Sequence, residues 1–222
     1  MTQQQNAKPA VAIVGVGNIG KIVAGNLVKG GRPVIVADRT DARAEALAAE
    51  LGSLAQARSI AEAMQAADIV IPALTFGAVE DMIRKDPTPL EGKIIVDVSS
   101  PVAPNGKGGF VKIVSDQESA GELLAAILPA GAKLAKAFGT LSAASLASAA
   151  FRETERALLF YVTDEREINA TIEELIRDSG FEPMRIGGLD QSIRIEVFGD
   201  LHELGALGRV VTEQDLKEMA LI

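Results

Sequence analysis

The chain has 222 residues, 48% of them apolar, with 22 basic against 30 acidic side chains and a formal net charge of −8. That length suits one domain or one large unit with a small annex, and the acidic balance disfavours nucleic acid and anionic membrane surfaces as partners. Cysteine is absent, which excludes disulfides, thiolate-ligated metal and a thiol nucleophile and fits a reducing compartment. The opening MTQQQNAK lacks the apolar core of a signal peptide and reads as a loose tail. No stretch supplies the roughly twenty apolar residues a membrane span needs. The expectation is a soluble, cytoplasmic protein.

In chain order, AVAIV at 10–14 is a continuous apolar run, the pattern of a strand covered on both faces. NIGKIVAGNLVK at 18–29 follows with helical spacing and stops at Gly30 and Gly31. RPVIVAD is a second strand closing on Asp38, and DARAEALAAELG at 41–52 is a helix with a glycine exit. SIAEAMQAA at 59–67 is a helix, DIVIPAL at 68–74 a strand, FGAVEDMIRK at 76–85 a helix and GKIIVDVSS at 92–100 a strand. This alternation implies a mostly parallel sheet flanked by helices. PVAPNGKGGFVKIV then breaks the rhythm as a loop with a short extended piece. SAGELLAAILP at 119–129 is helical, AKLAKAF at 132–138 a strand, and Ser142 caps the helix SAASLASAA. ALLFYVTD at 157–164 is a strand, INATIEELIRDSG a helix, and FEPMRIGG at 181–188 a last short extended stretch. From Ser192 to Lys217 the pattern is broadly amphipathic and helical. The fold expected is α/β, a doubly wound Rossmann-type sheet over 9–188, with a small C-terminal helical extension over 189–222 packing on the same unit.

The first strand ends in VGVGNIG, with glycines at 15, 17 and 20. At a strand-to-helix junction this spacing has a mechanical reading. Gly15 turns the chain, Gly17 leaves room for a diphosphate, and Gly20 lets the helix approach the sheet. The uncapped amides at the helix start then face the phosphates. Asp38 follows Gly20 by 18 positions at the end of the next strand, where it can accept bonds from a ribose 2′-hydroxyl and favour NAD. It can also swing away and pair with Arg43. Arg39 can stack on adenine and meet a phosphate, and Thr40 can donate a bond. On these residues NAD and NADP come out level. Later strand ends carry Ala73-Leu74-Thr75, Ser99-Ser100-Pro101 and Phe138-Gly139-Thr140, small and hydroxyl-bearing residues able to face the nicotinamide end or to serve as turns and caps.

No acid–base constellation stands out, and no metal-ligand spacing is present. The only histidine, His202, reads best as a packing residue, and Tyr161 lies in an apolar strand. An enzyme built this way works without a protein proton relay, by placing two rings face to face and excluding water.

The ordered set VAIVGVGNIGKIVAGNLVKGG, VIVADRT, ADIVIPAL, GKIIVDVSSPV, SAGELLAAILPAGAKLAKAFGT and IRDSGFEPMRIGGLDQSIRIE resembles the NADP oxidoreductases dependent on coenzyme F420. The resemblance implies one Rossmann domain with a small C-terminal extension, a homodimer, and hydride transfer between nicotinamide and a deazaflavin or flavin-like small molecule without a catalytic side chain. By position it implies that Val16, Gly17, Asn18 and Ile19 cradle the diphosphate, with Gly15 and Gly20 shaping the turn. Arg39, Thr40 and Arg43 would meet the adenine-ribose end beside Asp38. Ala73, Leu74 and Thr75 would lie over the ribose and nicotinamide, with Phe138 near the carboxamide; Ser99, at a strand end, and Ala137 are further candidate cofactor contacts. Three positions depart from the family pattern: Asp38 where NADP-selective relatives carry a small or neutral residue, Gly139 in place of a polar residue, and Ile193 in place of arginine. Two other readings fit the same residues: an NAD(P)H-dependent reductase of a small carbonyl or imine, and a dinucleotide-binding regulator without turnover. Gly17→Val is expected to weaken dinucleotide binding in a folded protein, because the side chain enters the phosphate space. Fluorescence titration with NAD(P)H checks this, and unchanged binding would reject the placement.

Overall fold

The computed structural model describes residues 8–219. Ten strands are formed: β1 (Val11–Val14), β2 (Val34–Ala37), β3 (Ala55–Ala57), β4 (Ile69–Pro72), β5 (Ile94–Asp97), β6 (Val102–Pro104), β7 (Phe110–Lys112), β8 (Lys133–Lys136), β9 (Leu158–Val162) and β10 (Glu182–Gly187). The helices are α1 (Asn18–Lys29), α2 (Asp41–Leu51), α3 (Ile60–Ala66), α4 (Phe76–Lys85), α5 (Ala120–Ala125), α6 (Ala143–Ser148), α7 (Asn169–Asp178), α8 (Ser192–Ile195) and α9 (Glu213–Glu218). Eight strands make one sheet in the order β10-β9-β8-β5-β4-β1-β2-β3. All its pairs are parallel except β8 with β9, which meet antiparallel at Lys136 and Val162. The fold is therefore the α/β, doubly wound, mostly parallel sheet expected of a Rossmann-type protein.

The continuous apolar runs are explained by burial on both sides. Every residue of β1, β2, β4 and β9 is buried. One face packs Ile13, Val36 and Ile71 against α1 and α7, and the other packs Val14, Val70 and Ile95 against Phe76, Val79 and Leu124. β1 pairs with β2 on one side and β4 on the other, so strand order reverses at β1. A crevice opens beyond the carboxyl ends of strands at such a reversal.

Three departures from the sequence pattern have physical causes. β3 is a three-residue edge strand, two partly exposed alanines around the exposed Gln56, too short and too weakly apolar to stand out. The loop after β5 pairs with itself as the β6–β7 hairpin. The helix expected over 192–217 is broken into α8, a run of turns, and α9. Phe198 has φ 76°, and a Cβ at Gly199 would lie within van der Waals radii of the Arg194 and Ile193 carbonyls. This segment folds back on itself instead of continuing as a helix, and still contributes Ile195, Leu201, Leu207, Val211 and Leu216 to the core. The tail expected at the start falls almost wholly outside the described residues.

Below the sheet, Arg32 is 1% exposed. Its Nε donates to Asp178 Oδ2 at 2.8 Å, Nη1 donates to the Pro9 carbonyl at 3.3 Å, and Nη2 lies 3.0 Å from Glu174. Lys8 also bonds Asp178. The ion pair holds the entry to β2 to the end of α7, and the bonds to Pro9 and Lys8 bring in the start of β1. Asp178→Ala leaves a buried guanidinium with a weaker partner and is expected to lower the unfolding free energy by about 3 kcal/mol. Urea denaturation checks this, and a loss below about 1 kcal/mol would show that Glu174 alone suffices.

Candidate active site

A cleft of about 750 Å³ lies at the strand reversal, inside the range of roughly 300–1,000 Å³ typical of small-molecule sites. Its floor is the turn from β1 into α1. Gly15 has φ 98°, a conformation open to glycine, and a Cβ there would meet the Ala73 carbonyl at 2.7 Å. A Cβ at Gly20 would collide with the Gly15 carbonyl, whereas one at Gly17 would meet nothing within 4 Å. Gly15 and Gly20 are thus close-approach positions, and Gly17 borders open space. No side chain caps α1, so the amides of its first turn point into the cleft without intrahelical partners. A site for an anionic diphosphate requires this combination of dipole, free amides and vacant volume.

Asp38 is turned inward, onto this loop. Its Oδ2 accepts from the Val16 amide at 3.0 Å and its Oδ1 from the Thr40 amide at 3.1 Å. Arg43 Nη1 lies 3.5 Å from Oδ1, and Nη2 donates to the Val16 carbonyl at 3.1 Å. Val16 is thereby held by both its backbone groups. The carboxylate is 6% exposed. Of the two orientations the sequence allows, this is the one in which Asp38 pairs with Arg43. Arg39 is exposed and makes no ion pair among the described residues.

Of the expected site residues, Gly15, Gly17, Asn18, Ile19, Asp38, Arg39, Arg43, Ala73, Leu74 and Thr75 line the cleft. Val16, Gly20, Thr40, Ser99, Ala137 and Phe138 do not. Val16 and Gly20 are buried within the turn, and Thr40 is exposed beside it. Ser99, Ala137 and Phe138 are packed beneath the ends of β5 and β8, at 4%, 1% and 1% exposure. Phe138 adopts φ 62°, a conformation that costs a non-glycine residue about 1 kcal/mol and that turns the chain back into the core.

The sequence reading missed one wall of the cleft: Ile60 at the start of α3, and Ala78, Asp81, Met82 and Lys85 on α4. The α4 positions follow helical spacing from the end of β4, so their shared face was legible once β4 was placed at the reversal. Asp81 and Lys85 pair on the rim at 3.0 Å. The apolar walls near β1, β4 and β5 are Val14, Leu74 and Val98.

Neither side chain considered as a proton donor faces this space. The Tyr161 hydroxyl donates to Glu173 at 2.9 Å. Burial and that carboxylate push its pKa well above the usual value. His202 is 2% exposed, and its Nδ1 accepts from the Leu204 amide at 2.8 Å. Burial pushes the imidazole below its usual pKa, against the opposing bond to Gly139. It is a neutral packing residue with its proton on Nε2. The adjacent Glu203 accepts from the Ser142 amide at 2.7 Å and the Ser145 hydroxyl at 2.6 Å, fixing the start of α6. Thr140 is buried, its hydroxyl without a partner among the described residues.

Among the described residues, no helix is long and apolar enough to cross a membrane, and no three side chains are grouped to hold a metal ion.

Comparison with known proteins places this site in context. Residues 10–101, which hold the glycine turn, Asp38 and the β4 end, match the family described as NADP oxidoreductase coenzyme F420-dependent. The chain is 31% identical over 188 residues to metalloreductase STEAP3 of Rattus norvegicus, a match that covers 85% of this chain and 36% of that protein. A hypothetical protein from Sinorhizobium meliloti superposes with a TM-score of 0.81 at 26% identity, covering 94% of this chain and 98% of the other. A protein from Arthrobacter sp. FB24 named as an F420-dependent NADP-reductase superposes at 0.71 with 19% identity, over 82% and 86% of the two chains. An imine reductase from Pseudomonas sp. superposes at 0.62 with 20% identity, over 83% of this chain and 57% of that one. The chain thus spans about a third of the curated relative it matches. It shares the dinucleotide-binding fold of these oxidoreductases and is kin to the F420-dependent family over its first half.

Proposed function

We propose that the chain is an oxidoreductase that binds NADP(H) in this cleft and passes hydride to a small acceptor needing no proton from the protein. The observation that carries the cofactor reading is the inward turn of Asp38. Its two oxygens are occupied by backbone amides, so the β2 end presents the Arg39 and Arg43 guanidiniums instead of a carboxylate. A ribose 2′-phosphate suits that end better than a bare 2′-hydroxyl.

A bound nicotinamide would supply the hydride. This chain's part is to hold and shield it. The first-turn amides of α1 would take the diphosphate, with Asp38 keeping the loop in shape for them. Ile60, Ala78 and Met82 offer an apolar shelf for adenine, and Val14, Leu74 and Val98 exclude water at the nicotinamide end. The Tyr161 hydroxyl and the His202 ring are engaged elsewhere, so neither supplies the proton that carbonyl reduction needs. An iminium already carries that proton, and a flavin or deazaflavin ring can take its proton from solvent. The imine reductase likeness supports the first acceptor class, and the F420-dependent family match supports the second. A cytoplasmic homodimer is part of the same proposal.

Two measurements test the reading. NADPH oxidation, followed by absorbance against a panel of cyclic imines, flavins, deazaflavins, quinones and ketones, is expected to proceed with an imine or a flavin-type ring. Ketones without added amine are expected to fail, and turnover of ketones alone would overturn the proton argument. Asp38→Ser is expected to weaken NAD and NADP alike, by about tenfold for two lost backbone anchors, with little change in their ratio. Arg39→Ala is expected to cost NADP about tenfold more than NAD. Calorimetric titration of both nucleotides reads both effects, and a shift toward NADP in Asp38→Ser would mean that the carboxylate faces the ribose after all.

A further inference from the structure

A second constellation lies under the carboxyl ends of β5 and β8, beside Val98 of the cleft wall. Asp97 ends β5, Lys136 ends β8, and the two are register partners. Lys136 Nζ donates to Asp97 Oδ2 at 2.7 Å and to the Ser99 carbonyl, and lies 3.4 Å from Glu196 Oε1. Asp97 Oδ1 accepts from the Ser99 amide at 3.0 Å, and Glu196 Oε1 from the Gly121 amide at 3.2 Å. The three charged side chains are 0–3% exposed. Two carboxylates share one ammonium, so the fully ionised cluster carries a net charge of −1.

Such a cluster is expensive to bury and brings no packing advantage over apolar residues of similar size. Glu196 Oε2 and the Ser99 hydroxyl are buried without a partner among the described residues. Ser99 is the residue through which the cluster touches the β5 end, and Ala137 and Phe138 follow Lys136 directly. The spacing along a strand puts those residues roughly 3–7 Å above the lysine's position.

We infer that Asp97, Lys136 and Glu196 form a fixed charge cluster that selects the redox state of the nucleotide, holding the cationic oxidised nicotinamide more tightly than the neutral reduced one. This rests on the NADP(H) reading above. The oxidised ring carries a positive charge that the reduced ring lacks, and a buried anion acts on that difference through a medium of low dielectric. The same preference lowers the cost of giving up hydride, because positive charge develops on the ring as hydride leaves.

The groups facing Glu196 are Lys136 from β8, Asp97 from β5 and the Gly121 amide from α5. Arg194, on its own segment, is turned outward to Asp200 at 2.8 Å. Burial pushes the Glu196 carboxyl above its usual pKa, against the pull of Lys136. Burial also opposes the charge on Lys136, but Asp97 and Glu196 outweigh it and raise its pKa. As pH falls through the raised Glu196 pKa, the cluster passes from −1 to neutral while the lysine stays charged.

The test compares dissociation constants of NADP⁺ and NADPH by calorimetry, in the wild-type chain and in Glu196→Gln. The 2′-phosphate is common to both nucleotides, so its own titration cancels in their ratio. The expected result is a loss of preference for NADP⁺ of about tenfold in the variant, for one unit charge at moderate distance. In the wild type the preference should fall as pH is lowered toward the ordinary carboxylate range, because the raised Glu196 pKa brings its protonation in above that range, and in the variant it should stay flat. If the variant fails to fold, the wild-type pH profile alone decides. A ratio independent of pH and unchanged by the substitution overturns the inference while leaving the function standing. A wild type that binds neither nucleotide sinks both.

Discussion

The turn between β1 and α1 works only if its backbone is held open, and Asp38 holds it. Glycines permit the path of the loop but do not enforce it, because each has more conformational freedom to lose than any other residue. The Asp38 carboxylate supplies the enforcement by accepting amides from both sides, Val16 and Thr40. Arg43 adds a bond to the Val16 carbonyl. The loop between the first strand and helix is thereby tied to the end of the second strand, so its amides are aligned before any ligand arrives. Ordering costs are met in folding instead of in binding, which raises affinity without adding a contact.

This arrangement changes what an acidic residue at the end of the second strand means. Read as a sequence position, it suggests a partner for a ribose hydroxyl. Read as a side chain with both oxygens satisfied, it is a scaffold, and the charge exposed at that strand end is that of the neighbouring arginines. Nothing in the spacing from Gly20 to Asp38 distinguishes the two. The direction of the side chain depends on whether the loop presents free amides to it, and that depends on three-dimensional closure.

The same contrast explains which parts of the fold were legible. VAIV, VIVA and IVIP are buried on both faces of a central sheet, so their composition alone marks them. The β1–α1 glycines carry their own steric logic, and Gly15, Gly17 and Gly20 have the environments their spacing implies. The α4 face and the engaged states of Tyr161 and His202 needed only the placement of one helix and one strand. By contrast, β3 has neither length nor hydrophobicity to announce it. The C-terminal segment has helical periodicity, but Gly199 and Gly205 sit at close backbone approaches that no periodicity records. Lys136, in a four-residue strand with lysine at both ends, reads as solvent-facing until Asp97 and Glu196 are seen beside it.

Two buried charge systems therefore divide the labour in this chain. At the bottom of the sheet, Arg32 before β2 and Lys8 before β1 both meet Asp178 at the end of α7, with solvent close by at the half-exposed Glu174. At the top, Lys136 is enclosed with two carboxylates and no exposed member. The lower system is balanced, two cations against two carboxylates, so it needs no function beyond holding the fold together. The upper one has no such balance. Its surplus negative charge must be neutralised by a proton on Glu196 or balanced by positive charge arriving at the strand ends. In an oxidoreductase whose nucleotide becomes cationic when it gives up hydride, those two outcomes are competing states of the same site.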